Sequence, residues 1–208
     1  MNIAVFASGG GSNFQALADA CLSGQITGRI VLCVASRETA GVILRADRLG
    51  IPVHVLRGPT EDWTPAVLSA LRSANADFIA LAGFMRMVPP ELIRAFPDRI
   101  VNIHPALLPD FGGHGMFGMH VHRAVVESGA ARSGATVHLV DEDYDTGPIV
   151  AQESVDVRPS EKAEDLAARV LEVEHRLYPA VVAAFSEGRV HRNGHTITIE
   201  PPHSNKGS

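Results

Sequence analysis

The sequence predicts an α/β fold in which a mostly parallel sheet carries helices on both faces, with antiparallel strands toward the C-terminus. Three observations support this prediction. Short apolar runs alternate with segments of helical spacing up to residue 104, several of these runs are apolar throughout, and after residue 130 two strand-like segments follow each other without a helix. Runs that are apolar on both faces are typical of parallel strands covered by helices on both sides.

The N-terminal half alternates strand and helix. The first strand is predicted at Ile3–Ala7, and helical spacing begins at Phe14 after a run of glycines. Gly50 ends a later helix, and Pro65 stands at the tolerated first position of another. The remaining strands of this half are predicted at 30–35, 52–56, 77–82 and 99–103, and the remaining helices at 42–49, 66–74 and 89–95.

The C-terminal part changes character. Strands are predicted at 135–140 and 149–157, joined across an acidic loop, and a long helix is predicted at 164–185. One stripe of that helix is apolar, as expected of a helix that packs on a sheet; it consists of Leu166, Val170, Leu177, Val181 and Phe185. We expect one domain over residues 1–199, long enough to bury a single core, and a disordered polar tail over 200–208.

Charge and cysteine content narrow the classes of partner. A formal net charge of -5 disfavours a nucleic acid or an anionic membrane as the main partner, because both reward basic surfaces. No apolar stretch approaches the ~20 residues of a membrane span. Cys21 and Cys33 lack metal-ligand spacing and lie in apolar surroundings, which favours free thiols in a reducing compartment. We therefore expect a cytoplasmic protein, monomeric or homodimeric, that acts on small molecules.

Two polar side chains at one strand end indicate chemistry. Asn102 and His104 are two residues apart, so both side chains leave the same face of their strand. Ligands of parallel sheets meet the carboxyl ends of the strands. An amide N–H and a protonated imidazole at that place stabilise the oxyanion of an acyl transfer to an amine. The alternative is a strand-end asparagine beside a histidine with a structural role.

An acidic loop follows about forty residues later, with the sequence D-E-D-Y-D-T-G-P at 141–148. A carboxylate near the imidazole favours the imidazolium and relays an amine's proton through water. A solvated loop and a cation site are the alternatives. The pattern alone does not choose among Asp141, Asp143 and Asp145.

Glycines and histidines suggest two further sites. G-G-G-S-N at 9–13 lies between the first strand and the first helix, where backbone N–H groups and the helix dipole favour an anion such as phosphate; a plain tight turn is the alternative. Phe14 stands where a dinucleotide fingerprint has its third glycine. His114, His120 and His122 raise the possibility of zinc, which we disfavour because a glycine-rich loop provides no rigid ligand set.

Five motifs occur together and in order along the chain. They are G-S-N at 11–13, A-G-F-M-R at 82–86, N-I-H-P-A-L-L-P at 102–109, V-H-L-V before D-Y-D-T-G-P at 137–148, and E-H-R-L-Y-P at 174–179. With them the chain resembles the phosphoribosylglycinamide formyltransferase family, folate-dependent enzymes of purine synthesis, from residue 1 to about residue 195. The resemblance implies a Rossmann-like formyltransferase domain. It also implies transfer of formyl from the co-substrate 10-formyltetrahydrofolate to the amine of glycinamide ribonucleotide, without a metal.

The resemblance assigns roles to individual residues. The family's catalytic triad corresponds to Asn102, His104 and Asp145, with His138 as a supporting histidine. The matching residues for the ribonucleotide are Gly11, Ser12 and Asn13 around the phosphate and Glu174 at the ribose hydroxyls. The matching residues of the folate pocket, where backbone groups are expected to contact the pterin, are Met85, Arg86, Met87, Val88, Asp141, Glu142, Asp143 and Tyr144.

Two segments depart from the family pattern, and three other functions remain open. The glycine-rich segment 110–119 is longer than in many relatives. The segment after Leu56 is shorter than in some relatives and lacks a clear counterpart of the arginine expected near the phosphate, for which Arg57 is a candidate. Within the same fold, the alternatives are hydrolysis of the formyl donor and formylation of another amine. The alternative of another class is a non-catalytic nucleotide-binding module.

Overall fold

The computed structural model of the chain describes residues 1–56, 58 and 62–202. Its main sheet has the strand order β3-β2-β1-β4-β5-β6-β7. These strands are β1 (Asn2–Ala7), β2 (Arg29–Ala35), β3 (Val53–Val55), β4 (Phe78–Leu81), β5 (Ile100–His104), β6 (Arg132–Leu139) and β7 (Ile149–Asp156). The first five pair in parallel, and β6 and β7 join antiparallel. The predicted fold class, a mostly parallel sheet with antiparallel strands toward the C-terminus, is confirmed.

Helices connect the strands and cover both faces of the sheet. They are α1 (Ser12–Leu22), α2 (Val42–Arg48), α3 (Thr64–Ser73), α4 (Pro90–Ala95), α5 (Met119–Ser128) and α6 (Ala163–Ser186). A separate hairpin of β8 (Val190–Asn193) and β9 (Thr196–Ile199) follows α6. The sequence analysis missed α5 and this hairpin, and it began β6 three residues late, at 135 rather than Arg132.

Alternate residues of β1 divide the core into two halves. Ile3 and Val5 belong to a cluster that contains the buried sides of α1, α2, α5 and α6. Ala4 and Phe6 belong to a second cluster, with residues of α3 and α4. Successive side chains of a strand point to opposite faces, so β1 contributes to both clusters. Both faces of β1 are buried, and the strand is therefore apolar throughout. This explains why its sequence shows a continuous apolar run.

The strand order places the functional edge of the sheet. The chain leaves β1 toward β2 and β3 on one side, and returns to β4 and β5 on the other. The carboxyl ends of β1 and β4 therefore flank a switch in strand order, which is where open α/β sheets bind ligands. The loops after β1, β4 and β5 and the loop between β6 and β7 all line the same cleft.

Two predictions concern residues that the structure describes only in part or not at all, the C-terminal tail and Arg57. Strand β9 ends at Ile199, and the part of the predicted tail at 203–208 lies outside the described residues, as does Arg57. The division into a domain over 1–199 and a tail over 200–208 stays a prediction.

Within the described part of the chain, no helix combines the length and the apolar character that a membrane span requires.

Candidate active site

A cleft of about 470 Å³ opens at the carboxyl edge of the sheet. Every residue that the sequence analysis assigned to the site lines it: Gly11, Ser12, Asn13, Met85, Arg86, Met87, Val88, Asn102, His104, His138, Asp141, Glu142, Asp143, Tyr144, Asp145 and Glu174. These residues come from segments far apart in the chain. The fold therefore brings the predicted set together in one place.

Three polar side chains meet in the cleft. Asn102 and His104 project from the end of β5, and Asp145 follows β6 in a left-handed backbone conformation, with φ of 58°. The Asp145 carboxylate lies 3.5 Å from His104 Nδ1 through Oδ2 and 3.4 Å from Asn102 Nδ2 through Oδ1. The backbone N–H of Gly113 donates to Oδ2 over 2.9 Å. Asp145 is thus held between both residues of the strand.

His138 on β6 orients the amide of Asn102. His138 Nδ1 donates to the Leu139 carbonyl oxygen over 2.8 Å, which leaves Nε2 as an acceptor. Asn102 Nδ2 donates to that Nε2 over 3.0 Å. The second N–H of the same amide makes the longer, 3.4 Å bond to Asp145. This longer bond is the weaker one, so its hydrogen is the one available to a substrate oxygen.

Burial of His104 favours its neutral form. Its Nε2 donates to the Phe111 carbonyl oxygen over 2.8 Å, so Nδ1 faces Asp145. Burial lowers the pKa of His104, and this effect outweighs the carboxylate of Asp145 and the Phe111 bond, which raise it. The sequence left the charge state of His104 open, and the lowered pKa favours the neutral imidazole at neutral pH.

Asp145 is ionised at neutral pH. Burial raises the pKa of Asp145, but its contacts with His138 and His104 and the hydrogen bond from the N–H of Gly113 together hold that pKa below its ordinary value. The site thus joins a fixed carboxylate to a neutral imidazole. That imidazole gains a proton more readily when negative charge develops beside it.

The loop geometry selects Asp145 from the three candidate aspartates. A Cβ on Gly147 would lie 1.8 Å from the Leu139 carbonyl oxygen, so only glycine permits this tight turn. Asp141 accepts a hydrogen bond from Thr146 Oγ1 over 2.7 Å, and Asp143 is exposed. Asp145 is the carboxylate that reaches His104 and Asn102.

The glycine turn opens the N-terminus of α1 into one end of the cleft. Gly11 precedes the helix in a left-handed conformation with φ of 76°, and a Cβ there would meet Val42 at 2.8 Å. No side chain caps the first turn of α1. Backbone N–H groups at Ser12 and Asn13 therefore face the cleft together with the positive end of the helix dipole, an arrangement that suits an anion.

Glu174 on α6 lies beside the same turn. The residue is 8% exposed, and its Oε2 accepts a hydrogen bond from Asn13 Nδ2 over 2.5 Å. Burial raises the pKa of Glu174 to about 7, although the Asn13 bond lowers it. A buried carboxylate next to an anion cradle provides strong acceptors for ligand hydroxyl groups.

The segment after β4 forms another part of the cleft wall. Met85 and Met87 are 51% and 46% exposed, and Tyr144 from the acidic loop is 39% exposed. The guanidinium of Arg86 donates to two backbone carbonyls, so this side chain holds the loop rather than reaching for a ligand. Ser8 accepts the Met85 N–H over 2.8 Å. The result is a fixed apolar surface that suits a flat aromatic group.

The histidines considered for zinc diverge. The His114 ring contacts Tyr144 at 6.0 Å between ring centroids, and the His120 ring contacts Phe117 at 5.3 Å. His122 is buried in the cleft. Among the residues that the structure describes, no three potential ligands converge on a metal position.

Sequence reasoning missed His122 as a residue of the cleft centre. It lies in the first turn of α5, its Nδ1 has no hydrogen-bond partner among the described residues, and its pKa is lowered by burial and then by His104. The spacing of three residues between His122 and Val125 could have placed both on the buried face of a helix, but α5 itself was not predicted.

Comparisons with known proteins agree with this architecture. The sequence matches the model of the formyl transferase family over residues 1–182. It is 48% identical over 193 residues, 90% of this chain, to a chloroplastic phosphoribosylglycinamide formyltransferase of Arabidopsis thaliana. It is 36% identical over 194 residues to the phosphoribosylglycinamide formyltransferase of Escherichia coli K12, covering 91% of this chain and 89% of that protein. The chain spans 66% of the length of the Arabidopsis relative and 62% of a Vigna unguiculata relative.

A solved structure has the same fold. The chain superposes on glycinamide ribonucleotide transformylase 1 from Symbiobacterium toebii with a TM-score of 0.89 at 37% sequence identity. The superposition covers 96% of this chain and 93% of that one.

Proposed function

Because the chain belongs to the formyl transferase family, we propose that it transfers the formyl group of 10-formyltetrahydrofolate to the amine of glycinamide ribonucleotide, a step of purine biosynthesis. Relatives named phosphoribosylglycinamide formyltransferase, at 48% and 36% identity, support this choice of substrates. The chemistry requires neither a covalent enzyme intermediate nor a nucleophilic side chain.

One cleft that contains three sets of groups is the observation that carries the proposal. The anion cradle at Gly11 and the carboxylate of Glu174 are expected to bind the phosphate and the ribose. The apolar segment with Met85 and Met87 suits the pterin of the folate. His104 and Asp145 line the same cleft and are the groups proposed to act where the amine meets the formyl carbon.

The proposed transfer begins with attack of the amine on the formyl carbon. The carbonyl oxygen becomes an oxyanion, and the amide N–H of Asn102 that is bonded at 3.4 Å to Asp145 turns to it. His104 is neutral beforehand and is the second group that faces the developing charge. Negative charge at that oxygen raises the proton affinity of the His104 imidazole, which takes up a proton from solvent water and returns it when the tetrahedral intermediate collapses.

Asp145 is proposed to assist the passage of the amine's proton. It is ionised and hydrogen-bonded by Gly113, so it remains in place while the amine becomes cationic. The proton passes from the attacking nitrogen, through water near Asp145, to the folate nitrogen that leaves when the tetrahedral intermediate collapses. The C–N bond to folate breaks and the new formamide remains on the ribonucleotide.

We also propose a cytoplasmic location and a monomeric or homodimeric state. Cys21 and Cys33 are free thiols, which a reducing compartment preserves. The Arabidopsis relative is named chloroplastic, so fractionation of the source cells is the direct measurement. Light scattering of the purified protein determines its oligomeric state.

Formyl transfer is tested by following folate release with and without glycinamide ribonucleotide. The proposal expects release that depends on the ribonucleotide. Asn102→Ala is expected to lower kcat about 10²–10³-fold with little change in KM for the ribonucleotide, because an oxyanion donor acts in the transition state. Asp145→Ala is expected to lower kcat by a similar or larger factor.

The matched control is Asp110→Ala, since this aspartate is exposed after β5 and lies outside the cleft lining. Near-normal turnover in the Asn102 or Asp145 variant would contradict the roles proposed for them. Folate release without any amine would instead favour a hydrolase, and binding without release would favour a nucleotide-binding module.

A further inference from the structure

A buried threonine lies directly across the sheet from His104. Thr136 on β6 is paired with His104 on β5, so the two side chains leave the same face of the sheet. Thr136 is 0% exposed and does not line the cleft, so a substrate does not reach it. Two residues of the segment that follows His104, Ala106 and Leu108, are buried as well.

The Thr136 hydroxyl group binds the backbone of that segment at two points. Its Oγ1 donates to the carbonyl oxygen of Ala106 over 2.6 Å and accepts the N–H of Leu108 over 3.1 Å. Gln152 is the partner of Thr136 on β7, and its Nε2 donates to Thr136 Oγ1 over 2.8 Å and to the Leu108 carbonyl oxygen over 2.9 Å. The hydroxyl thus uses its donor and both acceptor positions, and the amide uses both hydrogens.

The same segment continues into the groups that hold His104 and Asp145. The carbonyl oxygen of Phe111 accepts a hydrogen bond from His104 Nε2 over 2.8 Å. The N–H of Gly113 donates to Asp145 Oδ2 over 2.9 Å. Phe111 has a left-handed backbone conformation with φ of 56°, which a residue other than glycine keeps only when its surroundings fix it. The anchored backbone at 106–108 is the part of the chain from which this turn starts.

The position of the Phe111 carbonyl determines which nitrogen of His104 carries the proton. A neutral imidazole has one N–H, and the carbonyl places it on Nε2, so Nδ1 faces Asp145 without a proton at 3.5 Å. If the carbonyl moved away, the carboxylate would favour the proton on Nδ1 instead. Nδ1 is also the atom at which this tautomer gains a proton during the proposed transfer.

We propose that Thr136 and Gln152 are positioning residues for His104. By fixing the backbone of residues 106–108, the pair holds the Phe111 carbonyl at Nε2 of the imidazole and keeps Nδ1 free. Neither residue lines the cleft, so both act through the chain segment and not on the substrate. The consequence for turnover rests on the proposed function, whereas the tautomer is a property of the protein alone.

The test compares Thr136→Val, which removes the hydroxyl and keeps the shape, with Thr136→Ser, which keeps the hydroxyl. We expect kcat to fall about 10- to 100-fold in the valine variant, because a displacement of about 1 Å at a catalytic group has effects of this size. KM for both substrates is expected to change little, and the serine variant is expected to keep near wild-type kcat.

Nitrogen NMR of histidine-labelled, substrate-free protein at pH 8 reads the tautomer directly, since the pKa of His104 is lowered by burial and the ring is neutral there. The signals of this residue are assigned with His104→Gln. In Thr136→Val we expect the proton to move from Nε2 toward Nδ1, and in Thr136→Ser we expect it to stay on Nε2. A role confined to stability would not change the tautomer of the folded protein.

Gln152→Met provides a second variant if the valine variant does not fold. It removes both donors of the amide and keeps its length, so we expect a smaller fall in kcat, about fivefold, and a partial shift of the proton. Ser133→Ala is the matched control, because it removes another buried hydroxyl of β6, one without a partner among the described residues. This control is expected to keep the wild-type kcat and tautomer.

The proposal is overturned if the folded valine variant, or the methionine variant in its place, keeps either the wild-type kcat or the proton on Nε2. It is also overturned if Thr136→Ser loses as much activity as Thr136→Val. Absence of any transfer by the wild-type protein would instead refute the proposed function, and the tautomers of the variants would then decide this inference by themselves.

Discussion

Replacing the buried carboxylate of Glu174 with an amide is expected to stabilise the protein at alkaline pH. Burial raises the pKa of Glu174 from its ordinary 4.5 to about 7. The folded state therefore holds a proton that the unfolded state has lost between these two pH values. It follows that the free energy of unfolding of the wild-type protein falls as pH rises through this window.

The size of the effect follows from the two pKa values. At about 1.4 kcal/mol for each pH unit between them, the cost of the buried charge reaches about 3 kcal/mol above pH 7. Glu174→Gln has nearly the same shape, and its amide oxygen accepts the hydrogen bond from Asn13. The variant lacks the titrating group, so this loss of stability with pH does not occur in it.

Chemical denaturation at pH 5 and pH 8 measures the difference between the two proteins. We expect the stability of Glu174→Gln relative to wild type to rise by up to about 3 kcal/mol between these pH values. Glu172→Gln, an exposed position on the same helix, is the control. A difference that is equal at both pH values would refute the reasoning, because it would mean that Glu174 does not titrate in this window.

Two further perturbations follow from the site geometry. Asp145→Asn removes the negative charge that raises the pKa of His104 against the effect of burial, so NMR titration is expected to give a still lower pKa for this imidazole. An unchanged or raised pKa would contradict an interaction between His104 Nδ1 and Asp145 Oδ2, which lie 3.5 Å apart. Gly11→Ala forces a side chain into a left-handed conformation at 2.8 Å from Val42, so we expect a loss of about 1–3 kcal/mol in unfolding free energy and a raised KM for the ribonucleotide. Gly10→Ala, where a Cβ meets nothing within 4 Å, controls for stability, and an equal loss in both variants would argue against the strain.

The alternation of strands and helices was predictable because burial leaves a direct trace in sequence. Strand β1 is buried on both faces and reads as a continuous apolar run, and the apolar stripe of α6 recurs at helical spacing. The β8–β9 hairpin was missed although Asn193-Gly194 is a strong turn signal between alternating residues. Helix α5 follows a glycine-rich segment and buries only Val121, His122 and Val125, so its low apolar content gave little sign of a helix.

Motifs in the sequence identify residues that line the cleft, but they do not show which of these residues contact one another or how they are protonated. The choice of Asp145 over its acidic neighbours depends on a turn that only Gly147 allows. The neutral form of His104 depends on how completely the folded chain buries it. The pairing of Asn13 with Glu174 joins residues 161 positions apart. No local pattern in the sequence indicates any of these three features.

The sequence by itself determined the fold class, the family and most of the polar residues named for the cleft, but not His122. Local spacing decides which segments become strands and helices, and the motifs specify which side chains stand at their ends. Tertiary structure alone decided which of those side chains touch and which proton each one carries. Protonation and hydrogen-bond partners depend on distance and on exclusion of water, and both arise only when distant segments pack against one another.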